Sequence, residues 1–431
     1  MSYKILLQGN QKLEHNVTHE VTMLAFQLGV ILIAAKLSGE FVERVLKQPS
    51  VLGELAAGII IGPYALGHFS IPIVGPIFGE PHGVIPVSTA LYSFAQVAAI
   101  ILLFEVGLHT DLKKFLRYAP QATAVAIGGV VIPFILGDVA TFMLLDSVEG
   151  PFDYAALFMG TIMTATSVGV TARVLDELNQ LDSAEGVTIL GAAVVDDVIG
   201  IIVLAIVSGL AAAGSVEIAD IAVVGGKAVG FWLFLTIGGI AASKYIVRGI
   251  NSIRIQGAAI ALSLALALIA AAVAEMFGLA MIIGAYSMGL ALSQTNIYEI
   301  IQRPLNGVYD ALVPVFFAVM GMMVDVPLML GAIGFGTVIV VLAIIGKLLG
   351  SALPALLVGF KARSALGIGV GMTPRAEVGL IVAGIGLERG IIGGELFGVA
   401  ILMTVATTIF APVFLLKIFN DPISESVSPA E

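Results

Sequence analysis

The sequence predicts an all-α polytopic membrane protein of about thirteen transmembrane helices, built as an inverted-topology repeat with two discontinuous helices that cross. Three observations predict it: a composition too apolar for a soluble fold to bury, apolar runs of membrane-spanning length, and two interrupted runs at matching places in the order of spans.

Of the 431 residues, 59% are hydrophobic and 12% are charged, against about 25% charged in an ordinary soluble domain. The apolar residues fall in runs of roughly 18 to 28, and a helix needs about 20 residues to cross a hydrocarbon core. Splitting at charged and Pro-rich breaks places spans at 21–46, 50–68, 87–109, 119–145, 154–175, 186–213, 221–245, 257–275, 279–293, 307–325, 329–357, 365–387 and 395–418. Ahead of the first, Lys4, Lys12, Glu14, His15, His19 and Glu20 leave no apolar stretch or small-residue cleavage site. No secretory signal is read there, and the first span is expected to be retained.

An odd number of spans puts the termini on opposite sides, and the Lys/Arg bias of the loops decides which is cytoplasmic. One set of span ends carries Arg44, Lys47, Lys113, Lys114, Arg117, Arg173, Lys244, Arg248, Arg254, Arg303, Lys361, Arg363 and Lys417. The other has Lys4, Lys12, Lys227 and Arg389. The N-terminus is therefore expected outside and the C-terminus in the cytoplasm.

The absence of cysteine excludes disulfides, thiolate metal sites and thiol catalysis. His15, His19, His68, His82 and His109 show no metal-ligand spacing. A formal charge of −10 argues against a nucleic-acid partner. The partners left are membrane lipid and a small ion, and no cofactor is expected.

Two spans read as broken. The fifth contains Gly160-Thr161-Ile162-Met163-Thr164-Ala165-Thr166-Ser167-Val168-Gly169, where Thr and Gly weaken a helix and hydroxyls can satisfy freed backbone groups. The twelfth holds Gly367, Gly369 and Gly371, then Thr373-Pro374-Arg375-Ala376-Glu377, and Pro374 removes a helical hydrogen bond. The two lie seven spans apart and so run in opposite directions, as in two halves of inverted topology. Gly and Thr can also serve only close helix packing, but a matched pair with charge beside it points to a binding site.

The ionisable residues converge on that place. Asp196 and Asp197 interrupt an apolar helix interior, where each ionised carboxylate costs roughly 2.5–3.5 kcal/mol on translocon scales. Helix neighbours point about 100° apart, so one can face a water-filled cavity and the other a partner helix. Lys347, within Gly346-Lys347-Leu348, is that partner, and it lies at about the same depth as Asp197, roughly 15 Å from one membrane face. Ser167, Arg375 and Glu377 fall at roughly 12, 15 and 18 Å from the same face. The plain alternative is that Asp196 with Lys347, and Arg375 with Glu377, are ion pairs that fix register or neutralise half-helix ends. Glu54, Glu105 and Asp138 are further acids within spans, read as interhelical or pathway residues.

A carboxylate can hold a proton or a desolvated hard cation, but hardly both. Competition at Asp197, the transient metal ligand, would make Na⁺/H⁺ exchange obligatory, with oxygens of Thr166, Ser167 and the unwound backbone completing the coordination. Lys347 would release a proton on leaving Asp196. A K⁺/H⁺ exchanger fits the same residues with a different cavity size. A cation channel fits less well, because no carbonyl-filter motif or acidic ring is present. An aspartyl hydrolase needs two carboxylates facing across a gap, which helix neighbours cannot provide.

On Pro49 to Gly62, Leu103-Phe104-Glu105-Val106-Gly107-Leu108, Thr164-Ala165-Thr166-Ser167, Asp196-Asp197, Gly346-Lys347 and Pro374-Arg375-Ala376-Glu377, the chain resembles the cation:proton antiporter-2 family, specifically its two-aspartate sodium/proton antiporters. The resemblance covers nearly the whole chain. It implies that Asp197 is the ion- and proton-binding aspartate, that Asp196 pairs with Lys347, and that Thr166 and Ser167 sit where broken helices cross. It further implies a core domain, about 119–213 and 329–418, moving against a dimerisation scaffold, about 21–109 and 221–325, in a homodimer of a prokaryotic inner or derived internal membrane. Exchange of two protons per Na⁺, serving pH homeostasis, is likewise implied, with Li⁺ as an alternative cargo. The glutathione-gated potassium efflux relatives usually have another residue where Asp196 stands, and a soluble tail; with about a dozen residues after the last span, no such domain is expected here.

Overall fold

Long apolar runs bounded by acidic caps and left-handed glycines dictate a helical chain. Asp111, Asp153 and Asp325 each accept backbone N–H groups at a helix start, and Gly278, Gly359 and Gly390 take positive φ just past helix ends, where a Cβ would be strained. The computed structural model describes residues 2–71, 75–78, 83–145, 147–150, 152–213 and 218–419, of which 2–17, 71, 75, 212, 213 and 218 by backbone only. His82 and the C-terminal tail lie outside the described residues, and the side chains of Lys4, Lys12 and His15 lie outside them too.

In chain order the helices are α1 (Thr18–Leu46), α2 (Ser50–Ile61), α3 (Thr89–His109), α4 (Leu112–Leu144), α5 (Tyr154–Thr164), α6 (Val168–Glu177), α7 (Ala184–Ala213), α8 (Ile218–Ser252), α9 (Ala258–Met276), α10 (Met281–Leu292), α11 (Ile297–Met322), α12 (Val326–Gly331), α13 (Ile333–Leu357), α14 (Ala362–Gly371), α15 (Glu377–Glu388) and α16 (Gly394–Phe419). Among the described residues the sole ladder is a two-residue pairing of β1 (Ser70–Ile71) with β2 (Gly75–Pro76). Every window read from the sequence contains helix. Among the described residues, 10 spans are long and apolar enough to cross a membrane, with α5 and α6 counted together as Tyr154–Glu177. The shorter α2 and α10 have 12 residues each, and the twelfth window is divided between α14 and α15.

The chain divides into two compact units. In the unit formed by Met1–Gln96 and Ala311–Val324, α2 lies against the end of α11 so closely that a Cβ at Gly58 would overlap the Ala318 carbonyl, and one at Gly321 the Leu55 carbonyl. Small residues are what allow such approach between membrane helices.

The larger unit, Val97–Asp310 with Asp325–Glu431, has α4 packed on α13, α7 and α5. A Cβ at Gly350 of α13 would overlap the Gly128 carbonyl of α4, and the reverse holds for Gly128. Around the broken helices a core forms from Phe158, Ile162 and Met163 of α5, Ile339 and Ala343 of α13, and Val399 and Met403 of α16. Outward-facing positions are apolar as well: Phe234 is 73% and Leu357 87% exposed, as expected of surface whose solvent is lipid.

Candidate ion-binding site

Both predicted interruptions are present. α5 stops at Thr164, the chain runs extended through residues 165–167, and α6 restarts at Val168 with Ser167 as its cap. α14 stops at Gly371, residues 373–376 are non-helical, and α15 begins at Glu377. The two breaks bond to each other. Ser167 N donates to the Pro374 carbonyl at 2.7 Å, Thr171 Oγ1 to the Gly371 carbonyl at 2.7 Å, and Thr166 Oγ1 to the Met372 carbonyl at 3.5 Å. From α16, the Thr408 hydroxyl donates to the Arg375 carbonyl. Backbone groups released by the breaks are thus satisfied by protein, which non-helical backbone at membrane depth requires.

Two cations close the C-terminal end of α5, where unpaired carbonyls concentrate negative potential. Arg375 Nη2 donates to the Met163 carbonyl at 2.6 Å, and Lys347 Nζ to the Thr164 carbonyl at 2.7 Å. The ammonium also donates to Asp196 Oδ1 at 2.8 Å and to the Gly129 carbonyl at 2.9 Å. All three of its N–H donors are therefore used, in a pair whose side chains are 0% and 2% exposed.

The helical twist of α7 turns Asp197 away from that pair. Its side chain is buried, yet Oδ2 has no hydrogen-bond partner, and it forms part of the wall of a cavity of ≈ 70 Å³. The rest of the wall comes from Thr161 and Thr164 of α5, Ala165 in the break that follows it, Asp196, Gly200, Ile201 and Leu204 of α7, Val378 and Val382 of α15, and Ala280. At about 30 Å³ per water, the space suits a cation with one or two waters. The lining residues of α5 and α15 belong to the half-helices on one side of the crossing, with none from α6 or α14 on the other.

Asp196, Asp197, Lys347 and Arg375, singled out from the sequence, come together here. Thr166 and Ser167 sit at the crossing but do not line the cavity; Thr161 and Thr164 do. Sequence reasoning passes over Thr161, although it lies one helical turn before Thr164, a spacing that puts both on one face. Glu377 opens α15 with both carboxylate oxygens buried, and the Arg375 guanidinium turns to carbonyls in place of it. Glu54, Glu105 and Asp138 are buried but lie outside the cavity wall. Among the described residues no group of three or more His, Asp or Glu could hold a resident metal ion.

The chain is similar along most of its length to known transporters. The chain is 35% identical to the high-affinity Na⁺/H⁺ antiporter NhaS3 of Synechocystis sp., over 91% of this chain and 89% of that one. It is 33% identical to the Na⁺/H⁺-K⁺ antiporter GerN of Bacillus cereus, over 92% and 96%. The solved structure of the sodium proton antiporter MjNhaP1 from Methanocaldococcus jannaschii superposes with a TM-score of 0.66, covering 94% of this chain and 100% of that one; at 18% identity this likeness speaks for the fold alone. Residues 29–419 match the model of the transmembrane sodium/hydrogen exchanger, and the chain belongs to that family of cation/proton antiporters, which are transporters and not enzymes.

Proposed function

We propose that the protein exchanges Na⁺, or Li⁺, for H⁺ by competition of the two at Asp197. The observation that carries the reading is a buried carboxylate with one oxygen free of protein partners, on a residue in the wall of a cavity of ≈ 70 Å³. A proton on Asp197 removes the charge that attracts the metal ion, and the metal ion displaces the proton. Thr161 and Thr164 stand by to supply further oxygens from the cavity wall, with Thr166 and Ser167 near the crossing. Asp196, paired with Lys347, keeps a second charge beside the site, and the lysine can surrender its proton when the pair opens.

In this proposal the core, about 119–213 and 329–418, slides against the scaffold, about 21–109 and 221–325, so that Asp197 meets each side of the membrane in turn. The protein works as a homodimer with its N-terminus outside and its C-terminus in the cytoplasm of a prokaryotic cell, in the inner or a derived membrane. Relatives named as Na⁺/H⁺ antiporters favour Na⁺, while K⁺ in the name of one makes it the ion to test beside Na⁺ and Li⁺. The test is dye-reported proton movement in proteoliposomes on addition of each cation. Wild-type protein is expected to respond and Asp197→Asn to be silent while still folded. Wild-type rates in the asparagine variant would overturn the assignment.

A further inference from the structure

α4 carries Pro133 within its helical run. Proline has no backbone N–H, so the carbonyl four residues earlier loses its helical partner. That carbonyl belongs to Gly129, and it accepts from Lys347 Nζ at 2.9 Å. Of the other two acceptors, Asp196 offers a carboxylate, and Thr164 a carbonyl that is free because α5 ends there. Gly129 has no such excuse. It lies inside a continuous helix, where every carbonyl is ordinarily taken by its own helix.

Local packing fits the same purpose. A Cβ at Gly129 would stand 2.8 Å from Ser351 Oγ and 3.6 Å from Lys347 Nζ, which puts this turn of α4 directly against the ammonium and the serine of α13. A Cβ at Gly346, the residue before the lysine, would be 3.3 Å from Pro133 Cα, which places the proline against the turn of α13 that carries Lys347.

We propose that Pro133 is a positioning residue for exchange: by withholding an N–H it leaves the Gly129 carbonyl free as the third acceptor of the Lys347 ammonium. The inference rests on the roles given above to Asp196 and Lys347. With an N–H at 133, the Gly129 carbonyl is drawn back into its helix and shared between two donors, so the third hold on the lysine weakens. The charged lysine is then less well seated, and Asp196 carries more of the load.

Pro133→Ala restores the N–H, and Pro133→Ser does the same with a different side chain. In proteoliposomes both variants are expected to move the pH of half-maximal exchange by about one unit toward lower pH, the scale of one hydrogen bond to a charged group. Their thermal midpoints should hold or rise, because proline is the poorest residue for a helix interior. Pro120→Ala, roughly 20 Å away along α4, should leave the pH profile in place. In a Lys347→Ala background the substitution at 133 should add no further shift. An unchanged profile in Pro133→Ala, or a shift that persists without the lysine, would overturn the proposal, as would failure of both variants to fold, which would make the proline structural. If the wild type moves no cation, this inference falls together with the function; if the wild type exchanges and only the profile fails to move, this inference falls alone.

Discussion

Lys347→Ala tests the energetic centre of the site. The ammonium joins α13 to α7 through Asp196, to α5 through the Thr164 carbonyl and to α4 through the Gly129 carbonyl. Removing it leaves a carboxylate 2% exposed without its counter-charge, a change that costs about 3–5 kcal/mol when one member of a buried pair is deleted. The two carbonyls are each left short of a donor at about 1–3 kcal/mol, but these losses overlap and do not add. The net expectation is a destabilisation of about 3–5 kcal/mol. It should be largest at high pH and shrink as the pH falls, because a protonated Asp196 needs no counter-charge. Thermal unfolding in detergent across pH measures it, with Asp196→Asn/Lys347→Ala alongside. The double variant, which carries no orphaned charge, should melt above the single one. Equal melting of wild type and Lys347→Ala would refute the pairing argument, and so would a double variant no more stable than the single.

Two further outcomes follow from Asp197. Under one-for-one competition, the apparent KM for the exchanged cation should rise about tenfold for each unit by which the pH falls, in the range where the carboxyl is protonated; a KM independent of pH would refute a shared site. Asp197→Asn should keep or raise the thermal midpoint, since the aspartate oxygen it replaces satisfies no protein donor; a fall of several degrees would show that Asp197 is structural.

Much of this is legible in the residues, and the reasons differ from part to part. Helices are legible because apolar runs bounded by Asp, Gly and Pro leave little else to form. The breaks at residues 165–167 and 373–376 are legible because Thr, Gly and Pro are costly in a helix interior. The meeting of Asp196 and Lys347 follows from depth, since two buried charges at one level have few other partners. The cavity wall is not legible. Thr161, Val378 and Val382 are ordinary span residues whose place depends on how half-helices splay. The partners of Arg375 are hidden for another reason: its guanidinium donates to the backbone carbonyls of Met163 and Thr373, and a carbonyl that every residue carries leaves no signal of its own in the sequence.

The five charges at the crossing also bear on why a monovalent cation is the cargo. With all five ionised, Asp196, Asp197 and Glu377 against Lys347 and Arg375 leave the site one negative charge in excess. One proton or one alkali cation neutralises it, so the loaded site can change sides without exposing net charge to lipid, whereas the empty site cannot do so cheaply. A divalent ion would overshoot. Glu377, which acts electrostatically on Asp197, supplies the excess without lining the cavity. Glu377→Gln should therefore weaken the cation even though no ligand is removed. Each ~1.4 kcal/mol of that attraction is worth about tenfold in affinity. The readout is the Na⁺ concentration that half-saturates exchange at fixed pH. An unchanged value would mean that the charge of Glu377 is balanced elsewhere, and the neutralisation argument would fail.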